Sequence, residues 1–238
     1  MLALSNVVIH FDGKEALNIA SLSIKAGEKV AIVGPSGSGK STLVHHIYEL
    51  LRPSAALCSQ RQGLVENLSV YHNIFMGALN RHSWFYNLIN LALPFKQPLN
   101  EIGQIMDRLE LSCPLTQPTA SLSGGQRQRV ALGRALFQQQ AVFIGDEPFS
   151  ALDPIMGQRL LAEVLSAHDT VIMVLHDVNM ALENFDRIIG LQAGQKILDC
   201  PVDELNFETL QDFYQQAGSC QQNLTAEYSS ELDLAKNV

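Results

Sequence analysis

A glycine-rich stretch that ends in a lysine and a hydroxyl is where this sequence first suggests chemistry. Residues 34–41 fit the pattern Gly-x-x-x-x-Gly-Lys-Ser/Thr. Glycines let successive backbone N–H groups point at one phosphate chain, and Lys40 and Ser41 would reach the outer phosphates and Mg²⁺. A plain glycine turn needs neither side chain, so the pattern predicts a nucleotide site. Its residues are Gly34, Pro35, Ser36, Gly37, Ser38, Gly39, Lys40, Ser41 and Thr42.

Two adjacent carboxylates could supply the metal and base chemistry that a nucleotide site needs. Asp146 and Glu147 follow the apolar stretch 141–145, which we predict to be a buried strand. Ligands of open α/β folds bind at the carboxyl ends of strands. Asp146 is therefore the expected magnesium carboxylate, and Glu147 is the group expected to polarise the attacking water. Alone, Asp-Glu-Pro would be more typical of a solvated acidic turn, but its pairing with the glycine loop favours a site.

The segments around these residues alternate between apolar strands and helices. Residues 29–33 read as a buried strand that feeds the glycine loop, and residues 40–51 read as a helix that ends before Pro53. Further strands are predicted at 2–9, 21–25, 55–60, 141–145, 170–175 and 187–191, and further helices at 124–137, 156–167 and 177–184. A turn is expected at Asp12-Gly13. Continuous apolar strands that alternate with helices indicate a parallel sheet covered on both faces.

The middle of the chain changes character between residues 66 and 120. Helical segments are expected there, and an aromatic run, Trp84-Phe85-Tyr86, lies among them. Prolines are expected to break these helices, because proline lacks the N–H group that continues a helix. The expected breaks are Pro94, Pro98, Pro114 and Pro118.

The composition is that of a globular chain and argues against several classes of protein. Hydrophobic residues make up 47% and charged residues 17%, a balance typical of folded chains. The net charge is −8, whereas sequence-independent binding to nucleic acid needs a basic surface. No apolar run approaches the ~18–20 residues that cross a bilayer, and the first residues do not resemble a signal peptide. We expect free thiols in a reducing compartment, with one disulfide as the alternative, at Cys58, Cys113, Cys200 and Cys220.

A third motif decides the class. Residues 122–126 read Leu-Ser-Gly-Gly-Gln and lie at the predicted start of a helix, between the other two motifs. On these motifs the sequence resembles the ATP-binding cassette (ABC) ATPase family over residues 2–215. The resemblance implies an α/β fold of the P-loop NTPase (RecA-like) type. Its parts would be a parallel-sheet core, a small antiparallel β part and an inserted α-helical subdomain.

The resemblance also assigns roles to single residues. Phe11 matches the aromatic residue that stacks on adenine, although an isolated phenylalanine is more often a packed surface residue. Gln60 lies at the Q-loop position, with Gln62 as a competitor, and residues 150–153 resemble the D-loop that ends at Asp153. The implied catalytic residues are Lys40, Gln60, Glu147 and His176, and the implied magnesium ligands are Ser41, Gln60 and Asp146.

The resemblance and the chemistry of a helix N-terminus both predict a dimer. In this family two cassettes face head to tail, and each ATP lies between one phosphate loop and the other chain's signature. Here the signature contacts would be made by Ser123, Gly124, Gly125 and Gln126. These residues cap a helix N-terminus with no expected ligand in the same chain, so an anion held by a partner would satisfy them. Hydrolysis removes that anion bridge, and the dimer would open.

The sequence departs from the usual family pattern at two places, and two of its segments are similar to one subgroup of the family. The stretch 43–59 is shorter than in most family members, so the antiparallel part is expected to be reduced. Gly145 stands where a larger apolar residue is usual, which marks a weak strand or the close approach of another backbone segment. Residues 77–88 and 189–194 are similar to ATPase subunits of phosphonate and phosphate-ester importers. The aromatic run at 84–86 could be subdomain core or a permease-docking groove, and the sequence leaves both open.

The sequence is therefore interpreted as one ABC cassette that powers membrane import through ATP-dependent dimerisation. We expect a single cassette over 1–218, with core parts at 1–65 and 129–215, a helical subdomain at 66–128 and a polar tail at 219–238. The expected partners are a second cassette, permease subunits and a substrate-binding protein, with no nucleic acid. The chain would be peripheral, on the cytoplasmic face of the inner membrane. The alternatives are a nucleotide-responsive module without turnover and an ABC ATPase outside transport.

Overall fold

The chain divides into two units, which between them hold the predicted site residues. Unit 1 comprises Met1–Ile24, Val30–Leu43 and Leu175–Val238, and unit 2 comprises Lys25–Lys29 and Val44–Val174. The computed structural model describes residues 2–11, 13–59, 63–205 and 213. The predictions for Gln60, Gln62, Asp12, Cys220 and the tail at 219–238 lie outside the described residues. The predicted subdomain bounds stay a prediction.

The described part of the chain forms the following strands and helices. The strands are β1 (Leu2–Phe11), β2 (Lys14–Ile24), β3 (Lys29–Val33), β4 (Ala55–Cys58), β5 (Val142–Asp146), β6 (Thr170–Val174), β7 (Arg187–Gln192) and β8 (Gln195–Pro201). The α-helices are α1 (Lys40–Leu51), α2 (Val70–Phe75), α3 (Trp84–Ala92), α4 (Lys96–Arg108), α5 (Gly124–Phe137), α6 (Pro154–Ala167) and α7 (Val178–Asn184). Short 3-10 turns occupy Met76–Arg81, Thr119–Ser121 and Val202–Glu204.

Unit 1 carries a mixed set of strands in the order β1-β2-β8-β7-β3. Strands β1 and β2 form an antiparallel hairpin in which Leu2 is opposite Ile24 and Phe11 is opposite Lys14. Strand β7 is antiparallel to β8 and parallel to β3. The expected reduced antiparallel part is thus present as the β1–β2 hairpin and the β7–β8 pair.

Two strands of unit 1 differ from the prediction. The predicted strand at 21–25 is the end of a longer strand, β2, whose apolar residues Leu17, Ile19 and Leu22 are buried between more exposed neighbours. Such alternation is typical of an antiparallel strand with one face buried. Strand β8 was not predicted, because none of its residues is fully buried and the segment has no apolar run.

Unit 2 carries three parallel strands in the order β6-β5-β4. Cys58 of β4 is opposite Gly145 of β5, and Asp146 at the end of β5 is opposite Val174 of β6. All five residues of β6 are buried, which agrees with the continuous apolar pattern in the sequence. The predicted parallel sheet is therefore confirmed within this unit.

The helices of unit 2 enclose an apolar core between α2, α4 and α5. Ile74, Ile102, Leu109 and Phe137 are fully or almost fully buried there. The predicted helix break at Pro98 is wrong: Pro98 lies in the first turn of α4, where a backbone N–H has no partner within the helix anyway. Among the described residues, no helix combines the length and the apolar character that a membrane span requires.

Candidate functional site

The loop between β3 and α1 has the shape that the glycine pattern predicts. Gly34, Gly37 and Gly39 all have positive φ values, of 148°, 77° and 96°. A Cβ atom on Gly34 would lie 2.2 Å from the carbonyl oxygen of Leu191, and one on Gly39 would lie 2.8 Å from that of Ala16. Only glycine satisfies both the backbone conformation and the space at these two positions.

Polar groups inside this loop suit a phosphate group. Lys40, only 5% exposed, donates from Nζ to the carbonyl oxygens of Gly34 and Pro35, both at 2.8 Å. Ser38 is 2% exposed, and its Oγ atom has no hydrogen-bond partner. A buried hydroxyl without a partner costs roughly 1–3 kcal/mol, and a phosphate oxygen would recover that energy. The loop therefore fits the predicted nucleotide phosphates.

The turn between β7 and β8 supports the phosphate loop. The backbone N–H of Gly194 donates to the carbonyl oxygen of Ser38 at 3.1 Å, and the carbonyl oxygen of Gly194 accepts from the N–H of Asn18 at 2.7 Å. Ala193 and Gly194 have positive φ values of 46° and 78°. The Ala-Gly pair marks this turn in the sequence, but only the fold shows that it holds the phosphate loop.

The other predicted site residues of unit 1 are Phe11 and His176. Phe11 ends β1, and 62% of its surface is exposed, so its ring face is open to a ligand. His176 is exposed and lies between two fixed neighbours. Leu175 donates its N–H to the carbonyl oxygen of Ile32 at 3.1 Å, and the Asp177 carboxylate caps α7 through the N–H of Met180. The backbone on both sides of His176 is therefore held in place.

The acidic pair lies at the end of β5 in unit 2. Asp146 is the last residue of the strand and is 3% exposed, while Glu147 is half-buried. Glu147 has a φ of 52°, a left-handed conformation that costs a residue with a side chain roughly 1–3 kcal/mol. Such strained residues cluster at functional sites, so the backbone agrees with the role that the sequence predicts for Glu147.

The neighbours of Asp146 explain the unusual glycine before it. A Cβ atom on Gly145 would lie 3.0 Å from Cε1 of Phe143 and 3.1 Å from Cγ of Met173. The expected close approach of a backbone is wrong, because the atoms nearest to Gly145 belong to side chains. Burial raises the pKa of the Cys58 thiol to about 12, with Arg134 lowering it and Asp146 raising it further. That thiol is therefore protonated at neutral pH.

The signature residues cap helix α5. Ser123 Oγ accepts the N–H of Gln126 at 3.2 Å, and Gln126 Oε1 accepts the N–H of Ser123 at 3.0 Å, which forms a capping box. The expectation that nothing in the same chain binds these groups is therefore wrong for the Ser123 oxygen. A Cβ atom on Gly124 would meet no atom within 4 Å, so the helix N-terminus is open at that residue.

A buried glutamine that the sequence analysis did not single out joins the signature helix to the acidic pair. Gln128 is 3% exposed. Its Nε2 donates to the carbonyl oxygen of Glu147 at 3.1 Å and to Ser150 Oγ at 3.4 Å, and its Oε1 accepts the N–H of Ala151 at 2.8 Å. Asp153, the last residue of the predicted D-loop, caps α6 by accepting the N–H of Met156 at 2.9 Å.

The predicted magnesium ligands offer oxygen atoms as donors. In the described ranges, no group of three or more His, Cys, Asp and Glu side chains is arranged to hold a metal ion. Magnesium is commonly held by one or two carboxylates together with substrate phosphates and water. A serine hydroxyl and one aspartate, Ser41 in unit 1 and Asp146 in unit 2, are oxygen donors of that kind.

Comparison with known proteins agrees with these motifs. A family described as ABC transporter matches residues 17–150. A Pseudomonas fluorescens protein named phosphonates import ATP-binding protein PhnC is 34% identical over 235 residues, which cover 86% of this chain and 88% of that protein. The protein of the same name from Pseudomonas entomophila is 36% identical, covering 86% of this chain and 89% of its own length.

Solved structures show the same fold. The dimeric structure of MJ0796, a bacterial ABC transporter cassette, is 27% identical with a TM-score of 0.73, and the match covers 85% of this chain and 99% of that one. A post-hydrolysis state of the same cassette, bound to ADP and phosphate, matches with 26% identity, a TM-score of 0.72 and the same coverage. The predicted fold class and the predicted ATPase class are confirmed. The chain therefore belongs to the ABC transporter family, as one of its ATP-binding, ATP-hydrolysing cassettes.

Proposed function

We propose that this chain hydrolyses MgATP as one of two identical cassettes that drive a bacterial importer. The observation that carries the proposal is the phosphate loop. Its glycines allow no side chain at Gly34 or Gly39, Lys40 is bound to the loop carbonyls, and a buried Ser38 hydroxyl has no partner. These features suit a phosphate chain and have no evident purpose in a structural turn.

Each residue of the site has a chemical role in this proposal. Phe11 stacks on the adenine ring, and the loop amides with Lys40 bind the phosphates. Glu147 orients the attacking water, and His176 stabilises the charge that develops on the transferred phosphoryl group. The magnesium ligands would be Ser41, Asp146 and Gln60. When bound, the ion would neutralise the phosphate oxygens.

Two chains are needed to complete the site in this account. The N-terminus of α5 carries a partial positive charge, and its first residue, Gly124, faces open space. The phosphates held by one chain's loop would bind at the signature of the other chain. The dimeric cassette among the structural relatives supports this arrangement.

Mixing two inactive variants tests the shared site. Lys40→Ala removes the phosphate loop's cation, and Gly124→Asp places a negative charge where the partner's phosphates would bind. Each variant alone is expected to have almost no activity. In an equal mixture about half of the random dimers contain both variants, and each of these dimers has one intact site. We therefore expect mixing to restore ATP hydrolysis.

The control for the signature variant is Gly103→Asp on α4, where a Cβ atom also meets nothing within 4 Å. This variant is expected to hydrolyse ATP like the parent chain. If the mixture of Lys40→Ala and Gly124→Asp stays inactive while both proteins are folded, the two chains do not share their sites.

Helix α3 is proposed as the surface that contacts the permease. Its exposed face is apolar, with Trp84 68%, Phe85 59% and Leu88 58% exposed. The opposite face buries two asparagines: Asn87 donates to the carbonyl oxygen of Leu79, and Asn90 donates to the Tyr71 hydroxyl. The interpretation of the aromatic run as core is wrong for Trp84 and Phe85, which are exposed, whereas Tyr86 is half-buried against His82 and Phe95. An exposed apolar helix face is typical of a protein interface.

A pair of substitutions on α3 tests this docking. We expect Trp84→Ser with Leu88→Ser to weaken binding to membranes that contain the permease by at least about tenfold, since apolar anchors dominate interface energies. ATP hydrolysis in solution is expected to stay unchanged. The matched control is Leu50→Ser on α1, which removes another exposed leucine. If the α3 variant and the parent chain sediment equally with these membranes, the docking role is contradicted. Binding of the parent chain to protein-free vesicles of the same lipids would also contradict it.

The transported substrate is proposed to be a phosphonate or a related anion. The support is the name of the relatives, which are phosphonate import ATP-binding proteins at 34–36% identity. A permease and a substrate-binding protein would contact that anion, and this chain would supply the energy from the cytoplasmic face of the membrane.

A further inference from the structure

We propose that Gln128 is a positioning residue for ATP hydrolysis, which holds the backbone of Glu147 and of the turn that follows it. The inference rests on the proposed role of Glu147 as the group that orients water. The side chain of Gln128 forms hydrogen bonds with Glu147, Ser150 and Ala151, which lie in the same unit.

The oxygen and the nitrogen of the Gln128 side-chain amide both form hydrogen bonds with the segment 147–151. Its oxygen accepts the N–H of Ala151 at 2.8 Å, and this fixes the orientation of the amide because only an oxygen can accept that hydrogen. Its nitrogen then faces the carbonyl oxygen of Glu147 at 3.1 Å. A buried side chain that both donates and accepts at set distances specifies one arrangement of the backbone it binds.

The segment that Gln128 holds needs such support. Glu147 is in a left-handed conformation with φ 52°, which persists only where the surroundings fix it. The backbone N–H of Ser150 donates to the carbonyl oxygen of Glu147 at 3.3 Å, so the turn begins at the same atom that Gln128 binds. Loss of the glutamine amide would remove one of the hydrogen bonds to that carbonyl group and loosen the direction in which the Glu147 side chain leaves the backbone.

The first test removes the amide and keeps the approximate size of the side chain. Gln128→Met is expected to lower kcat by about 10- to 100-fold, since a displacement of about 1 Å at a reacting group has effects of that size. The affinity for ATP and its KM are expected to stay close to parental values, because the hydrogen bonds of the Gln128 side chain hold the backbone around Glu147, which is proposed to act on the attacking water. A general loss of folding would instead lower the bound fraction and kcat together.

The second test uses pH to restore the lost donor. In Gln128→Glu the ionised carboxylate can accept the N–H of Ala151 but cannot donate to the carbonyl oxygen of Glu147. The protonated carboxyl group both donates and accepts, as the glutamine does. Burial raises the pKa of an introduced glutamate. Activity relative to the parent chain is therefore expected to recover as the pH falls from about 8.5 to about 6.

The control variants are Gln104→Met and Gln104→Glu, which change an exposed glutamine on α4. Both are expected to match the parent chain at every pH. A kcat for Gln128→Met within about twofold of the parent overturns the proposal, because a lost positioning contact costs more than that. A loss of activity in Gln128→Glu that is equal at all pH values also overturns the proposal. If Gln128→Met does not fold, the pH profile of Gln128→Glu decides alone.

The proposal and the role of Glu147 can fail separately. If Glu147→Gln keeps parental turnover, Glu147 does not orient the water, and the positioning role of Gln128 falls with it. If Glu147→Gln is inactive and Gln128→Met is fully active, the role of Glu147 stands and only the inference about Gln128 is overturned.

Discussion

Replacing Glu147 by glutamine is expected to reduce ATP hydrolysis by about 1000-fold while the affinity for ATP stays unchanged. The amide keeps the size of the side chain but cannot take up the proton of the attacking water, and general-base catalysis contributes about 10²–10⁴-fold to such reactions. Steady-state phosphate release at saturating MgATP measures the rate. Equilibrium titration with ATP measures the affinity.

The matched control for this variant is Glu183→Gln, an exposed glutamate on α7. It removes the same charge and is expected to hydrolyse ATP like the parent chain. Turnover by Glu147→Gln within about twofold of that control would show that a different group activates the water. A variant that also failed to bind ATP would point to a loss of fold.

Lys40→Ala is expected to lower the affinity for ATP by about 100-fold or more. Charge-assisted hydrogen bonds to phosphate are among the strongest contacts in a nucleotide site, and each tenfold loss of affinity corresponds to about 1.4 kcal/mol. The change also removes the two hydrogen bonds from Nζ to the carbonyl oxygens of Gly34 and Pro35, so the loop loses an internal support. Titration of the variant with ATP and with ADP measures the loss.

Thermal unfolding serves as the folding control for Lys40→Ala. The variant should unfold cooperatively without nucleotide, but it should lack the rise in Tm that ligand binding gives the parent chain. Lys96→Ala, at an exposed lysine on α4, should keep both the affinity and the rise in Tm. Parental ATP affinity in Lys40→Ala would contradict the assignment of the phosphate loop.

Local signals were enough to predict the part of the fold that carries the phosphate loop. The bounds of β3 and α1 agree with the prediction, because an apolar run, a set of glycines and a proline after the helix act over neighbouring residues. The contacts that shape the loop are long-range, and the sequence does not show them. The carbonyl oxygens of Leu191 and Ala16, which exclude side chains at Gly34 and Gly39, come from distant strands.

Helix α3 shows where the hydrophobic pattern alone does not decide which face is buried. Its apolar residues share one face, which favours burial of that face. The structure buries Asn87 and Asn90 instead, because each finds hydrogen-bond partners on neighbouring segments. The sequence also does not reveal the role of Gln128, because its hydrogen-bond partners are distant along the chain. A glutamine in a helix is expected to face solvent, whereas the fold places Glu147 and Ala151 within hydrogen-bond distance of Gln128.

The molar mass of Glu147→Gln tests most directly whether two copies of this chain share each bound ATP. This variant should hold ATP without hydrolysing it, so the closed pair should accumulate. Light scattering after size exclusion in MgATP is expected to give twice the chain mass of 26.2 kDa, and the single-chain mass in ADP. A variant that binds ATP but keeps the single-chain mass at all concentrations would contradict the shared site.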